Sequence, residues 1–160
     1  MSISVGDRIP QASFTRASAD GPQPVDSESF FKGRKVALFA VPGAFTPTCS
    51  ARHLPGFVEK ADALKAKGVD EIACTAVNDA FVMGAWAQSG DSADKVTMLA
   101  DGNGFFAKAI GLEMDGSRYG MGTRSQRYSM LVDDGVVTQL NVEEPGAFNV
   151  SSADYLLERL

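Results

Sequence analysis

The sequence is poor in the residue types that bind metals or build disulfide frameworks. Its 160 residues include two cysteines, Cys49 and Cys74, and one histidine, His53. Two cysteines are too few to staple a chain of this length. One histidine and two cysteines also fall short of the four ligands of a usual zinc site. We therefore expect no metal and no cofactor, and each thiol has to be considered separately.

Long apolar runs and blocks of basic residues are also missing. No stretch approaches the roughly 20 apolar residues that cross a membrane. The first residues, MSISVGDRIPQASF, have neither the basic start nor the apolar stretch of a signal peptide. The net charge of -5 argues against nucleic acid and anionic membranes as partners. These absences predict a soluble cytoplasmic protein.

The remaining composition is typical of one globular domain. Hydrophobic residues make up 44% of the chain and charged residues 22%, and no linker divides it, so we expect a single domain over 1–160. Apolar patterns predict strands at 35–41, 71–77, 96–100, 127–132 and 136–142, with helices at 48–67, after 78–79, at 104–110 and at 153–160. This order predicts an α/β protein with a mixed central sheet flanked by helices, as in the thioredoxin-like fold.

Cys49 stands where reactive groups are favoured in α/β proteins. It follows the buried strand at 35–41 and lies in the first turn of the helix at 48–67. Ligand sites favour the carboxyl ends of such strands. A helix start adds free N–H donors and a positive dipole end. Both features stabilise a thiolate relative to a thiol, which makes the cysteine more reactive at neutral pH.

The loop before Cys49 supports this interpretation. Pro42 and Pro47 stiffen the loop, and Thr46 and Thr48 place hydroxyl groups near the sulfur. The alternative is a small buried cysteine with no chemical role. Such a residue would not need two prolines, two threonines and a helix start around it, so we favour a catalytic thiol.

These residues resemble a known family. The segment PGAFTPTCS at 42–50, with its PxxxTxxC spacing, resembles the peroxidatic motif of peroxiredoxins, and HLPGF at 53–57 resembles the type-5 subfamily, called type II in plants. Further resemblance at VNDAFV, LAD and RYSM extends over nearly the whole chain. The resemblance implies a thioredoxin-like fold and a thiol-dependent peroxidase that reduces hydrogen peroxide and organic hydroperoxides.

The resemblance also assigns roles to residues of the loop. Cys49 would be the peroxidatic nucleophile, Thr46 would hold the peroxide and contact the sulfur, and Pro42 would shield the sulfur from water. Backbone N–H groups around Thr48 and Cys49 would bind the developing oxyanion. Gly43, Thr48 and Phe45 are candidate substrate-binding residues, and Phe45 could instead be covered by an interface.

An arginine from a later strand completes the family's site. Arg124 and Arg127 both precede the strand that begins at Tyr128. Arg127 occupies the family's position, and its planar fork could bind the thiolate and the peroxide oxygens together. Arg124 is a secondary candidate that would act from outside the site.

Reduction of the oxidised Cys49 is expected to need a second molecule. Oxidation of Cys49 gives a sulfenic acid that another thiol has to reduce. Some type-5 members carry a resolving cysteine near the C-terminus, but here Ser151 stands about where it would be. Cys74 lies within a buried strand and is inert by default. We expect an external reductant, either glutathione with glutaredoxin or thioredoxin, and the resemblance implies a homodimer.

Other interpretations stay open at this point. A thiol–disulfide oxidoreductase would carry CxxC or CxxS, but Cys49 is followed by Ser50, Ala51 and Arg52. A non-catalytic redox sensor that signals through Cys49 would differ in its rate of turnover. His53 lies one helical turn after Cys49 and could act as a general base. We favour packing or a helix hydrogen bond for His53.

Overall fold

The structure, a computed structural model, describes residues 2–18, 20–92 and 94–160. The strands within these ranges are β1 Ser13–Arg16, β2 Gln23–Asp26, β3 Lys35–Ala40, β4 Glu71–Ala76, β5 Thr97–Ala100, β6 Glu113–Asp115, β7 Thr123–Ser125, β8 Tyr128–Asp133 and β9 Val136–Val142. The α-helices are α1 Ser27–Phe31, α2 Leu54–Glu59, α3 Ala61–Ala66, α4 Ala80–Ser89, α5 Phe105–Ala109 and α6 Ala153–Glu158. A π-helical segment, Cys49–His53, precedes α2, and a 3-10 turn, Ser117–Tyr119, separates β6 from β7.

Seven strands form one sheet in the order β2-β1-β5-β4-β3-β8-β9. Strands β3, β4 and β5 are parallel, because helical connections carry the chain back between them. Strands β8 and β9 are antiparallel and are joined by the turn Asp134-Gly135. Both turn residues have positive φ, 49° and 81°, as tight hairpins require. The predicted mixed sheet flanked by helices is confirmed.

The central strand β3 supplies side chains to two apolar layers. Successive strand residues point to opposite faces of a sheet. Ala37 and Phe39 therefore pack in a layer with Phe57 of α2 and Trp86 of α4. Val36, Leu38 and Ala40 pack in the second layer with Phe14, Phe31 and Phe106. Because both faces are covered, β3 is apolar and buried from Val36 to Ala40.

The predicted helix at 48–67 is wrong as a single helix. Its first turn is π-helical, with the N–H of Leu54 donating to the carbonyl of Cys49, and the chain breaks again at Lys60 between α2 and α3. Pro55 has no N–H for a helical bond, so the turn before it has to rearrange. Cys49 consequently begins a short, irregular element instead of a long α-helix.

The small hairpin formed by β6 and β7 was not predicted. Its strands have three residues each, too short for an apolar alternation to stand out in the sequence. Their register pairs Met114 with Arg124. The hairpin lies beside the loop that carries the predicted site. Within the described ranges, none of the helices has the length and apolar character to cross a bilayer.

Candidate active site

Cys49 is fully buried at the carboxyl end of the central strand. The first backbone bond of its helical segment runs from the N–H of Ser50 to the carbonyl of Thr46, at 2.9 Å. The N–H groups of Thr48 and Cys49 lie before this bond, so they belong to the unpaired donors of a helix start. The N–H groups predicted to bind the oxyanion are therefore free to donate, and their role in catalysis stays a prediction.

Arg127 contacts the sulfur directly. Its Nη2 atom donates a hydrogen bond to Sγ of Cys49 at 3.0 Å, although 78 positions separate the two residues in sequence. Antiparallel pairing of β8 with β3 makes this contact possible, because Tyr128, the first residue of β8, pairs with Ala40 at the end of β3. A guanidinium can only donate hydrogen bonds and is always charged, so this contact suits a sulfur that carries negative charge.

His53 holds the other side of the same guanidinium. Nη1 of Arg127 lies 2.9 Å from Nδ1 of His53, and Nε2 of His53 lies 2.9 Å from the carbonyl oxygen of Ser151. Burial, followed by the charge of Arg127, lowers the pKa of His53 to about 3. A neutral ring whose Nδ1 is occupied by Arg127 has no free base for the thiol proton. His53 packs against Phe39 and Phe57, as one of its two expected roles requires, but its hydrogen bonds go to Arg127 and Ser151 and not to its own helix.

Thr46 is paired with a backbone carbonyl and not with the sulfur. Its hydroxyl donates to the carbonyl oxygen of Gly43 at 2.6 Å, and the described residues include no hydrogen bond from Thr46 to Cys49. The expected contact of Thr46 with the sulfur is therefore not made through a hydrogen bond of its hydroxyl, and its role stays a prediction. Because the proton is directed to Gly43, the hydroxyl oxygen can accept a hydrogen bond from a peroxide O–H.

Arg124 braces the loop from the β6–β7 hairpin. Its Nη1 donates to the carbonyl of Pro42 at 3.4 Å, and its Nε donates to the carbonyl of Met121 at 2.9 Å. A Cβ atom at Gly43 would lie 3.1 Å from Nη1 of Arg124 and 3.2 Å from Thr46. A side chain at position 43 would require these neighbours to shift by a few tenths of an ångström, so glycine suits the close approach of the loop and the hairpin. Arg124 lies outside the immediate surroundings of the sulfur, as expected for a secondary residue.

A cavity of about 780 Å³ opens onto the site. Pro42, Thr46, Thr48 and Arg127 line the end nearest the loop. Residues of the β6–β7 hairpin and of the segment after β9 form the rest of its wall, among them Met114, Tyr119, Met121, Pro145 and Ala147. The cavity is far larger than hydrogen peroxide, so a substrate with an organic group has room beside the sulfur.

Phe45 does not line this cavity. It lies at the tip of the loop with 55% of its surface exposed and a positive φ of 65°. The N–H of the preceding residue, Ala44, donates to Oδ1 of Asn78 at 2.9 Å, which fixes the loop against the start of α4. This position favours the interface alternative over a substrate contact.

Cys74 is a buried thiol within β4. It pairs across the sheet with Phe39 and Met98 and has no exposed surface. Burial raises the pKa of its thiol well above the ordinary value, and the nearby Cys49 adds to the shift. A protonated, buried thiol is a poor nucleophile, in agreement with the inert role expected from sequence.

A cysteine and an arginine in contact at the end of a central strand, with a cavity that admits a small electrophile, define a thiol-based peroxidase. Comparisons with known proteins identify it further. The Redoxin family model matches residues 4–157. Peroxiredoxin-2B of Arabidopsis thaliana is 49% identical over 99% of this chain and 98% of the relative. Peroxiredoxin-2E-2, a chloroplastic protein of Oryza sativa subsp. japonica, is 55% identical over 99% of this chain and 72% of the relative.

A solved structure agrees with these relatives. Reduced Prx3 of Vibrio vulnificus, in complex with hydrogen peroxide, superposes with a TM-score of 0.95 at 52% identity, covering 98% of each chain. The chain belongs to the peroxiredoxins of the Redoxin family, is similar to their type II members and has their thioredoxin-like fold. It is an enzyme that reduces peroxides at the expense of thiols.

Proposed function

We propose that Cys49 is the nucleophile of this peroxidase and that Arg127, Thr46 and Pro42 complete its catalytic site. The contact of 3.0 Å between Nη2 of Arg127 and Sγ of Cys49 carries the proposal. A guanidinium is always charged and acts only as a donor, so it stabilises a sulfur that is negative. Pro42 lines the cavity beside this pair and has no N–H to offer water.

The chemical step follows from these contacts. The thiolate of Cys49 attacks the OH oxygen of ROOH, and the S–O bond forms as the O–O bond breaks. The attacked oxygen keeps its proton, and the leaving alkoxide or hydroxide takes a proton from water to give ROH or water. Thr46 accepts the peroxide O–H and orients the O–O bond. Arg127 and the free N–H groups at Thr48 and Cys49 stabilise the charge on the leaving oxygen. The product is a sulfenic acid on Cys49.

An external thiol resets the enzyme in this proposal. A first thiol forms a mixed disulfide with Cys49 and releases water, and a second thiol releases the reduced enzyme. Because Cys49 is fully buried, the reductant gains access only after the loop and the segment Cys49–His53 open. The π-helical form of this segment supports such opening, since π turns are rare and less stable than α turns. Glutathione with glutaredoxin, or thioredoxin, are the candidate reductants.

Organic hydroperoxides are included among the substrates we propose. The volume of about 780 Å³ and the apolar groups of Met114, Met121 and Pro145 support this extension beyond hydrogen peroxide. A substrate tail that lies on the hairpin leaves the peroxide group at Thr46 and Cys49. At the end of the cavity near the sulfur, the carbonyl of Gly43 orients the hydroxyl of Thr46, and the N–H of Thr48 donates to the leaving oxygen.

Trapping experiments test the catalytic assignment. One equivalent of peroxide should place a dimedone-reactive sulfenic acid on Cys49 and leave Cys74 as a free thiol in intact-protein mass spectrometry. Cys49→Ser should abolish peroxide consumption, and Cys74→Ala should serve as the matched control. An enzyme that keeps its activity without Cys49, or forms a Cys49–Cys74 disulfide as its main product, would contradict the proposal.

We also propose a homodimer through an apolar patch defined by Phe45, Phe81 and Phe105. These side chains are 55%, 71% and 65% exposed. Phe81 and Phe105 line one groove, and the bond between Ala44 and Asn78 brings the loop of Phe45 to the same side of the molecule. Three exposed phenylalanines on one face favour association with another protein surface. Phe81→Glu should give a monomer in analytical ultracentrifugation, whereas Val5→Glu, at an exposed apolar residue outside the patch, should not.

For the location we propose the cytoplasm. Both cysteines are free, and a peroxidase that works through a thiol needs a reducing compartment. Fractionation of cells that express the chain tests this, and recovery in an organelle fraction would contradict it.

A further inference from the structure

A chain of buried hydrogen bonds continues beyond His53, away from the sulfur. The carbonyl of Ser151 accepts from Nε2 of His53 at 2.9 Å. The N–H and the hydroxyl of Ser151 donate to Oε2 of Glu143 at 2.8 and 2.7 Å. The N–H groups of Asn149 and Val150 donate to the same oxygen at 2.8 Å each. The chain therefore links a carboxylate at the end of β9 to the site of Cys49.

The members of this chain are buried, and Glu143 also borders the cavity that opens onto the site. His53 and Ser151 have no exposed surface, and Glu143 is 7% exposed. Burial raises the pKa of Glu143, but the hydrogen bonds from Asn149, Ser151 and Val150 outweigh burial and lower it below its ordinary value. A buried carboxylate with four donors at one oxygen is a fixed anchor, because the loss of the carboxylate would leave those donors unpaired.

Donor and acceptor chemistry allows one arrangement of the chain. A backbone carbonyl can only accept and a guanidinium can only donate. His53 therefore carries its proton on Nε2, towards Ser151, and offers the lone pair of Nδ1 to Nη1 of Arg127. Since the second terminal nitrogen of Arg127 donates to Cys49, a movement of Ser151 changes the direction of the guanidinium.

We propose that Glu143 and Ser151 are positioning residues for peroxide reduction, which hold Arg127 against Cys49 through His53. The inference rests on the proposed function of Cys49 and Arg127 and extends it to the segment before α6. A second tie supports it, because the backbone N–H of Glu143 donates to the carbonyl of Arg127 at 3.0 Å. Glu143 thus holds the backbone of Arg127 directly, and it holds the side chain of Arg127 through Ser151 and His53.

The variants Glu143→Gln and Ser151→Ala test the proposal. Gln keeps one oxygen that can accept in the place of Oε2 but loses the negative charge that strengthens all four bonds, and Ala removes one of the four bonds. We expect kcat/KM for hydrogen peroxide to fall by about 10-fold in Glu143→Gln and by about 3-fold in Ser151→Ala. The pH profile of Cys49 alkylation by iodoacetamide, which needs no turnover, should move to higher pH in both, because Arg127 no longer stabilises the thiolate fully.

Ser152→Ala is the matched control for a merely structural role. Ser152 is the next residue and caps α6, with its hydroxyl accepting from the N–H of Tyr155 at 3.1 Å. Its replacement should lower the free energy of unfolding by about 1 kcal/mol. It should leave the alkylation profile and kcat/KM unchanged, because Ser152 lies outside the chain of bonds.

A double-mutant cycle tests the route through His53. His53→Asn keeps an acceptor near the position of Nδ1 but loses the donor to Ser151. If the anchor acts through His53, adding Glu143→Gln to His53→Asn should change kcat/KM by less than about 2-fold. Additive effects, or variants that lose stability while the alkylation profile stays unchanged, would overturn the inference. Absence of peroxide consumption by the wild-type protein would instead contradict the proposed function. If Glu143→Gln does not fold, the alkylation profile and kcat/KM of Ser151→Ala decide the inference.

Discussion

Arg127 and His53 form a pair in which a neutral imidazole orients a permanent cation, with Nη1 2.9 Å from Nδ1. The pairing leaves the other terminal nitrogen of Arg127 for the sulfur of Cys49, 3.0 Å away. A protonated His53 would present a donor to a donor and would repel the guanidinium. The low pKa of His53 therefore keeps the ring neutral, so that Nδ1 can accept from Arg127 and hold the guanidinium against Cys49.

Replacement of Arg127 by Lys is expected to reduce the rate of peroxide reduction although the charge is kept. One ammonium group cannot bridge Sγ of Cys49 and Nδ1 of His53 in the way that two guanidinium nitrogens do. The loss of a hydrogen bond to a charged group predicts a fall in kcat/KM of about 10- to 100-fold. Steady-state kinetics with hydrogen peroxide measures this. Arg124→Lys is the control, because Arg124 braces the loop but does not touch the sulfur, and its kcat/KM should fall less. Equal losses of kcat/KM in the two variants would contradict the direct role of Arg127.

Thr46 should be replaceable by Ser but not by Val. Ser keeps a hydroxyl that donates to the carbonyl of Gly43 and accepts from the peroxide, whereas Val keeps the shape and loses both bonds. We expect kcat/KM of Thr46→Val to fall by about 100-fold, in the range of a lost catalytic hydrogen bond. Thr46→Ser should stay within about 3-fold of the wild type. A Val variant as active as the Ser variant would show that the hydroxyl takes no part.

Some of the site could be predicted from sequence and some could not. Pro42, Thr46 and Cys49 lie within eight consecutive residues, so one sequence motif predicts all three as site residues. Arg127 came from the resemblance, because no local pattern distinguishes it from a surface charge. Its contact with His53 spans 74 positions and depends on the antiparallel pairing of β8 with β3.

The anchor at Glu143 was missed for a different reason. A glutamate in a polar segment after a strand is typical of a solvated loop, and nothing local shows that the chain folds back over it. The centre of the sheet could be predicted because β3, β4, β5 and β8 are largely apolar runs, whereas the edge strands β1 and β2, SFTR and QPVD, have no such run. The break of the helix after Cys49 was only suggested by Pro55, since a proline near a helix start is also compatible with a regular helix.

The stability of the protein should fall with acid in a way that depends on His53. Its pKa is lowered to about 3 in the folded protein, whereas an unfolded histidine titrates near 6.5. Between these values the unfolded chain binds a proton that the folded protein does not, so the free energy of unfolding increases with pH. Acidification below pH 6.5 should remove up to about 1.4 kcal/mol per pH unit from this source.

Urea unfolding at a series of pH values measures this dependence. Carboxylates also make the free energy of unfolding depend on pH. The wild type is therefore compared with His53→Asn, which has no titrating group at position 53. The difference between the two proteins should grow as the pH falls from 6.5 and level off near the folded pKa of about 3. Parallel curves for the two proteins would contradict a buried, neutral His53.

Cys74 should be dispensable for turnover. Its thiol is buried and its pKa is raised, so it neither attacks the sulfenic acid nor reacts with alkylating agents in the folded protein. Cys74→Ala is expected to keep steady-state activity with glutathione and glutaredoxin, or with thioredoxin. Its free energy of unfolding should fall by about 1 kcal/mol, because a small cavity remains. Loss of turnover with every reductant in a folded Cys74→Ala protein would assign Cys74 a resolving role.

The charges around the cavity should make the enzyme selective for neutral hydroperoxides. Its wall carries four carboxylates against two guanidinium groups: Glu113, Asp115, Glu143 and Glu144 against Arg118 and Arg127. This excess of negative charge repels substrates with a carboxylate tail and weakens with added salt. We expect tert-butyl hydroperoxide to react at a rate that salt hardly changes, and a fatty acid hydroperoxide to react faster as ionic strength rises.

Neutralising substitutions at the cavity test the origin of this selectivity. Glu113→Gln and Glu144→Gln together should raise kcat/KM for the fatty acid hydroperoxide by about 3- to 10-fold and leave tert-butyl hydroperoxide unchanged. Glu158→Gln removes one negative charge from α6, outside the cavity wall, and controls for net charge. If Glu158→Gln has the same effect per charge removed, selectivity comes from the overall charge of the protein. If only the cavity variants respond, the wall formed by the hairpin and the segment after β9 selects the substrate by its charge.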